Sequence, residues 1–160
     1  MQDSMNYEKV IEYLELYPRI DGNIQFLRKC IKNLNDEYYT PLAGTSYDGL
    51  PHGKNNVSQI TENLAINIPD GVADEIRGYE RRIEEYQQLK AEILREISRL
   101  QLSQKSIIFD KYMNGLKWEQ VAVRNHYTSR HCKNIRREAV ECLVKYFGRN
   151  QTISNFKMEA

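Results

Sequence analysis

The chain lacks the residues that mark several large classes of protein. Its three cysteines, Cys30, Cys132 and Cys142, are an odd number at spacings that fit neither a disulfide framework nor a Cys-x-x-Cys metal site, so we expect buried, reduced thiols. No apolar run approaches the ~18 residues of a membrane span, and the first residues lack the basic start and apolar stretch of a signal peptide. These absences predict a protein of the cytoplasm with no membrane contact.

Residues for catalysis and metal binding are also scarce. The three histidines are too scattered to form a catalytic group with serine, cysteine or aspartate. His131 precedes Cys132, but adjacent helix positions face different ways, so we expect no metal pair there. The segment Gly49–Lys54 has three residues between its glycines instead of four, and no Ser or Thr follows its lysine, so a phosphate-binding loop is not expected. We predict no enzyme activity, no metal and no cofactor.

Charge is unevenly distributed along the chain. The whole sequence has a net charge of +1, but residues 103–149 contain ten Lys or Arg against four Asp or Glu, a net charge of +6. The remaining residues contain 13 basic and 18 acidic side chains, a net charge of −5. This polarity predicts one end that faces nucleic acid and another that is held away from phosphates.

The hydrophobic pattern is helical, and strand signals are nearly absent. A first helix is predicted over Tyr7–Leu16, ending before Pro18 because the residue before a proline is disfavoured in the helical region. Apolar residues at steps of four and three predict a second helix over Ile20–Tyr38. The Gly-, Pro- and Asn-rich stretch Thr40–Asn56 predicts an irregular loop, and Ser58–Ile66 could form a short helix.

A longer apolar seam runs from Val72 to Leu100 at the same alternating steps, which predicts one long helix with a charged outer face. This seam either packs on the Ile20–Tyr38 seam of the same chain or forms a homodimer through the helix at 70–102. We favour the hairpin within one chain, because two matching seams joined by a long loop can satisfy each other. Tyrosines at seam positions also suit a two-stranded coiled coil poorly.

The region from residue 103 to 148 predicts a helix-turn-helix. Ser103 is expected to cap a helix over Gln104–Met113, which Asn114 and Gly115 would stop. A short helix over Lys117–Arg124 would follow, with the small Ala122 allowing a close helix crossing. Asn125–Tyr127 would form the turn.

A last helix is predicted from a cap at Thr128 or Ser129 to about Phe147, before Gly148. Its inner face would comprise Cys132, Ile135, Ala139, Cys142, Leu143 and Tyr146. The opposite face predicts major-groove recognition, with base reading by Ser129, Arg130, His131, Lys133 and Asn134. Phosphate contacts are predicted for Lys117, Arg124, Arg136, Arg137 and the hydroxyl of Thr128. Basic helix faces are usually only solvated, but the helix, turn and cap that precede this one favour DNA binding.

The order of these pieces resembles the promoter-reading fourth region of sigma-70 factors over about Glu84–Tyr146. Gln120-Val121-Ala122 takes the place of the family's "Glu-Ile-Ala", and Ala139-x-x-x-Leu143 that of its ending. The segment Thr45–Lys54 with Asn63–Ile66 resembles small phage transcriptional regulators of the RinA/ArpU type. Residues 1–83 contain no counterpart of the DNA-melting second region, so a complete sigma factor is not expected.

These resemblances imply an all-α protein with an N-terminal helical hairpin or coiled-coil lobe and a C-terminal, sigma region-four-like helix-turn-helix. The expected domains are residues 1–69, a connecting helix at 70–102, the helix-turn-helix at 103–148 and a tail at 149–160. The expected function is a late-gene activator of a phage or prophage in a bacterial host, bound to double-stranded promoter DNA and touching RNA polymerase through its acidic lobe. The alternatives are a small terminase-like packaging subunit and a sigma-mimicking module that binds polymerase without reading DNA.

Overall fold

The computed structural model describes residues 4–39 and 69–159, and within these ranges it is all helical, with no strand. The predicted class, a helical hairpin followed by a C-terminal helical domain, is confirmed. The predicted loop Thr40–Asn56 and short helix Ser58–Ile66 lie outside the described residues. The elements are α1 (Tyr7–Leu16), a 3₁₀ turn (Tyr17–Arg19), α2 (Ile20–Tyr39), α3 (Asp70–Ser98), α4 (Leu102–Ile108), a π-helical turn (Phe109–Met113), α5 (Trp118–Asn125), α6 (Ser129–Arg149) and α7 (Gln151–Asn155).

The chain divides into two compact units, residues 1–23 with 84–160 and residues 24–83. In the described part of the second unit, Ile24 of α2 and Ile76 of α3 are buried. The hydroxyl of Tyr79 donates to the Glu75 carboxylate at 2.8 Å. The pKa of Tyr79 is raised first by this hydrogen bond, then by burial and by the charge of Glu75. The predicted domain boundaries at 69, 102 and 148 stay predictions.

The first two helices join through Pro18 without leaving helical geometry. The predicted end of α1 at Leu16 is confirmed, but the predicted reason is wrong: Tyr17 has φ −48° and ψ −52°, inside the helical region. Pro18 lies at the start of a 3₁₀ turn, where the N–H that proline lacks needs no partner in the helix. The Nε of Arg19 donates to the carbonyl of Glu15 at 3.3 Å, so that carbonyl stays hydrogen-bonded.

Helix α6 is the centre of the first unit, because α1, α4, α5 and α7 all contact it. Along α3, the seam residues Tyr86, Ile93 and Ile97 are buried within this unit. Between Tyr86 and Ile93 on the same helix, Lys90 Nζ donates to both carboxylate oxygens of Asp21 in α2, at 2.7 Å each. This pair raises the pKa of Lys90. Residues of α2 and α3 therefore meet inside one chain, as the hairpin interpretation predicts.

Helix α6 continues through Gly148 to Arg149, so the prediction that it ends at about Phe147 is wrong. A glycine lowers helix propensity, but tertiary packing outweighs a local cost of about 1 kcal/mol. The Phe147 side chain is fully buried. A Cβ built on Gly148 would lie 3.5 Å from Cβ of Met5, so this turn lies directly against the N-terminal segment.

The C-terminal residues after α6 are part of the fold. Asn150 Oδ1 accepts from the N–H of Ile153 at 3.2 Å, which starts α7, and its amide donates to Glu92 at 2.7 Å and to Glu96 at 3.0 Å. The Ile153 side chain is fully buried. The hydroxyl of Tyr13 donates to the Ile153 carbonyl at 2.8 Å. The segment after α6 therefore connects α1 and α3.

Candidate nucleic-acid interface

The first helix of the C-terminal region, α4, begins earlier than predicted. Gln101 precedes its first turn, and the N–H of Gln101 donates to Gln104 Oε1 at 3.4 Å, so the prediction of Ser103 as the cap is wrong. After Ile108 the helix widens into the π-helical turn, in which the N–H of Asn114 donates to the Phe109 carbonyl at 2.9 Å, five residues back. Gly115 has φ +66°, a left-handed conformation that ends the helix as predicted.

The turn between α5 and α6 begins one residue later than predicted, because Asn125 belongs to the helix rather than to the turn. Helix α5 ends at Asn125, and His126 follows with φ 59° and ψ 35°, in the left-handed region. Thr128 Oγ1 then accepts from the N–H of His131 at 3.2 Å, so Thr128 rather than Ser129 is the cap of α6. The start of α5 is one residue later than predicted, because Lys117 is its cap position.

A small apolar core holds the helix-turn-helix together. It consists of Ile107, Val121, Ala122, Cys132 and Ile135, with Leu116 and Trp118 packed against it. Burial raises the pKa of the Cys132 thiol, which keeps it protonated.

The three cysteines are free thiols, but Cys30 and Cys142 are half-buried, so the prediction of full burial is right only for Cys132. Cys142 and Tyr146 were predicted on the inner face of α6, and both are half-buried. Val140 and Phe147 are buried instead, because α1, α4 and α7 also cover this helix and widen its apolar face beyond one seam.

The first turns of α6 present a polar, cationic face. The exposed side chains are Arg130, His131, Lys133, Asn134 and Arg137, while Ser129 is half-buried. The capping residue Thr128 is exposed as well, as are Lys117 and Arg124 of the preceding helix. A guanidinium N–H of Arg137 donates to Asn134 Oδ1 at 3.4 Å. All of the ten predicted site residues except Arg136 thus lie close to the turn between α5 and α6 or at the start of one of these two helices.

Arg136 differs from its neighbours, because its guanidinium is held inside the domain. Its Cζ lies 5.1 Å from the ring centre of Trp118, and its Nη1 donates to the Tyr112 hydroxyl at 3.3 Å. Burial raises the pKa of Tyr112, and the Arg136 charge acts in the opposite direction. The Nε of Arg136 is buried without a hydrogen-bond partner. Arg136 therefore joins α6 to α5 and to the π-helical turn.

Two lysines also lie close to the Trp118 ring. Lys111 Nζ lies 5.1 Å and Lys133 Nζ 5.9 Å from the ring centre, so three basic side chains surround one indole. Lys111 was not among the predicted site residues. No sequence signal indicates this cluster, since its members come from the π-helical turn, α5 and α6.

A buried carboxylate lies beside the end of α5. Asp110, only 4% exposed, accepts from the Asn125 amide at 2.8 Å and from the Asn114 amide at 3.2 Å. Its Oδ1 also lies 3.5 Å from Nε of Arg124. The Asn125 side chain in turn accepts from the Ser106 hydroxyl. Polar side chains therefore tie α4 and the π-helical turn to the last two residues of α5.

Within residues 4–39 and 69–159, no group of three His, Cys, Asp or Glu side chains could hold a metal ion. None of the helices in the same ranges combines the length and the apolar character needed to cross a bilayer. Comparison of the chain with protein-family models, with curated proteins and with solved structures finds no match.

Proposed function

We propose that the chain is a sequence-specific transcriptional regulator that binds double-stranded DNA, with α6 as the recognition helix in the major groove. One observation carries the proposal: the first nine residues of α6 contain no acidic side chain and expose Arg130, His131, Lys133, Asn134 and Arg137, directly after a short turn with a Thr128 cap. In helix-turn-helix proteins the N-terminal residues of the second helix contact base edges. Arginine pairs with guanine and asparagine with adenine in bidentate geometry, and both residue types are present on this face.

The polar residues of this surface divide into two groups by position. Arg130, His131, Lys133 and Asn134 follow the cap, and we assign them, with the half-buried Ser129, to base edges. Lys117 precedes the first turn of α5, where the helix dipole favours a phosphate. Arg124 at the end of α5 and Arg137 further along α6 are assigned to phosphates, which fix the register of the protein on the duplex.

The resemblance to region four of sigma-70 factors and to RinA/ArpU-type regulators supports a role at promoters. We propose that the regulator belongs to a phage or prophage and acts in the cytoplasm of a bacterial host. The net charge of −5 outside residues 103–149 favours a protein partner there over DNA, and we propose RNA polymerase as that partner. Co-migration of the full chain with purified polymerase on a sizing column, with and without promoter DNA, tests this contact.

The DNA-binding proposal is tested by selecting bound fragments from random-sequence DNA with the full chain and then titrating the selected site. Replacing Arg130 or Asn134 by alanine is expected to cost about 1–3 kcal/mol on the selected site and to relax its sequence preference. Replacing Arg137 by alanine is expected to weaken all sequences alike and to reduce the salt slope by about one. Arg95→Ala, an exposed arginine of α3, is the matched control and should bind as the wild type does.

Three results would contradict the proposal in different ways. If Arg130→Ala and Asn134→Ala change affinity and sequence preference in the same way as Arg137→Ala, the division into base and phosphate contacts is wrong. Absence of DNA binding even at low salt, where counterion release makes affinity greatest, together with retained polymerase binding would favour the sigma-mimicking module. A closed ring of many subunits in solution would favour a packaging subunit.

A further inference from the structure

The Asp110 carboxylate is held inside the helix-turn-helix at a position where an apolar side chain would cost less to bury. A carboxylate loses its hydration on burial, and this loss is recovered only when charged and hydrogen-bonding partners surround it. Asp110 has such partners on the chain segment that leads into the turn: the amide of Asn125 at 2.8 Å and Nε of Arg124 at 3.5 Å. The carboxylate thus contacts consecutive residues at the end of α5.

Only one nitrogen of the Arg124 guanidinium is beside Asp110, and most of the side chain remains exposed. Its Nε faces the buried carboxylate, whose side chain is 5% exposed, while 63% of the arginine side chain remains exposed. A guanidinium carries five N–H donors in a fixed plane, so a contact at Nε restricts the plane and leaves donors for an anion. Asn125 is fixed separately, because its amide also donates to the Val121 carbonyl at 2.8 Å and its oxygen accepts from Ser106.

We propose that Asp110 is a positioning residue for DNA binding, which orients the Arg124 guanidinium toward a backbone phosphate before DNA arrives. This inference rests on the proposed function and extends it from the surface of α6 to a buried side chain of the π-helical turn. Ordering a long side chain in the free protein removes part of the entropy cost of binding. The expected gain from Asp110 is about threefold to tenfold in affinity, the effect of immobilising one such side chain.

The test is a double-mutant cycle on the full chain, measured by fluorescence anisotropy with the selected DNA site. Asp110→Asn keeps an acceptor for Asn125 but removes the charge that faces Arg124. It is expected to weaken DNA binding about threefold to tenfold in the wild-type background and to have no effect in the Arg124→Gln background. Glu119→Gln, an exposed carboxylate of α5, is the matched control: loss of its charge should leave affinity unchanged or raise it slightly.

A second variant leaves Asp110 itself and its hydrogen bonds with Asn114 and Asn125 unaltered. Arg124→Lys keeps the charge at the exposed position but has no Nε–H beside Asp110, so it is expected to bind DNA about as weakly as Asp110→Asn. A readout without DNA is the exchange of the Arg124 Nε–H with water, followed by NMR. This proton should exchange more slowly than that of the exposed Arg130 in the wild type, and equally fast in Asp110→Asn.

The outcomes separate this inference from the proposed function. An Asp110→Asn effect of equal size in the Arg124→Gln background would show a purely structural role and overturn the inference. So would wild-type affinity in Arg124→Lys, tighter binding by Asp110→Asn, or rapid Nε–H exchange of Arg124 in the wild type. If Arg130→Ala weakens binding while Asp110→Asn does not, only the inference fails. A chain that binds no DNA overturns the proposed function and with it the role of Asp110 in binding.

Discussion

Replacement of Arg136 by alanine is expected mainly to lower the stability of the protein and only to a lesser extent to weaken its contact with DNA. Sequence patterning groups Arg136 with Arg137 as phosphate contacts, but the two side chains have different surroundings. Arg136 is half-buried over Trp118 and donates to Tyr112, whereas Arg137 is exposed and donates only a 3.4 Å hydrogen bond to Asn134. The pair therefore provides a test in which the residue type and the helix are the same, while the burial and the tertiary contacts differ.

The magnitude follows from the contacts of Arg136. A partly buried cation over an aromatic ring contributes about 1 kcal/mol. A hydrogen bond from a charged donor contributes roughly 1.5 kcal/mol. The buried Nε without a partner offsets about 1 kcal/mol of this. Loss of about 1.5 kcal/mol is expected for Arg136→Ala, which lowers Tm by about 3–6 °C in a chain of this size. Arg137→Ala should stay within about 0.5 kcal/mol of the wild type.

The assay is urea unfolding followed by the fluorescence of Trp118, the single tryptophan of the chain, with circular dichroism as a second probe. DNA affinity is then measured at several salt concentrations well below the unfolding midpoint of each variant. Arg137→Ala should reduce the salt slope by about one, and Arg136→Ala by clearly less. Wild-type stability of Arg136→Ala together with a salt slope reduced as in Arg137→Ala would refute the reasoning.

Three further predictions concern stability. His126→Gly should raise the free energy of unfolding by roughly 0.5–1 kcal/mol, because glycine adopts the left-handed φ of 59° without strain; a lower unfolding midpoint in urea would contradict this. Ile153→Ala should lower the free energy of unfolding by about 2–4 kcal/mol, since the side chain is fully buried. Gln151→Ala, at an exposed position of α7, should change this free energy little. Equal effects of the two substitutions would show that α7 is not part of the core. Burial and the Glu12 charge raise the pKa of Tyr13 in the folded protein above its ordinary value of 10.0. The neutral phenol therefore contributes its full stabilisation below pH 10, and this contribution is lost as the pH rises through the pKa of the folded state. Unfolding midpoints measured across this range should fall less steeply for Tyr13→Phe, and an unchanged slope would contradict the assignment.

The parts of the fold that could be predicted from the sequence depend on neighbours close along the chain. The spacing of apolar residues indicates α1, and the structure has the predicted bounds Tyr7–Leu16, although Pro18 does not push Tyr17 out of the helical region. The end of α5 was predictable to within one residue, and a cap at Thr128 or Ser129 was predictable because a cap is a contact between residues three apart. The uneven charge, and with it the cationic character of the start of α6, is a property of the order of residues along the chain and needs no coordinates.

Tertiary structure decided which basic side chains stay exposed. Arg136 and Arg137 are adjacent and have the same side chain, yet only Arg136 meets Tyr112, which is 24 residues away in the sequence. Asp110 meets Asn125 across 15 residues, and no periodicity in the sequence encodes that contact. The continuation of α6 through Gly148 likewise depends on its packing against the N-terminal segment. Local patterns determine which face of a helix is polar, but the elements that pack beside it determine which polar groups remain free to bind a partner, because burial depends on neighbours distant in sequence.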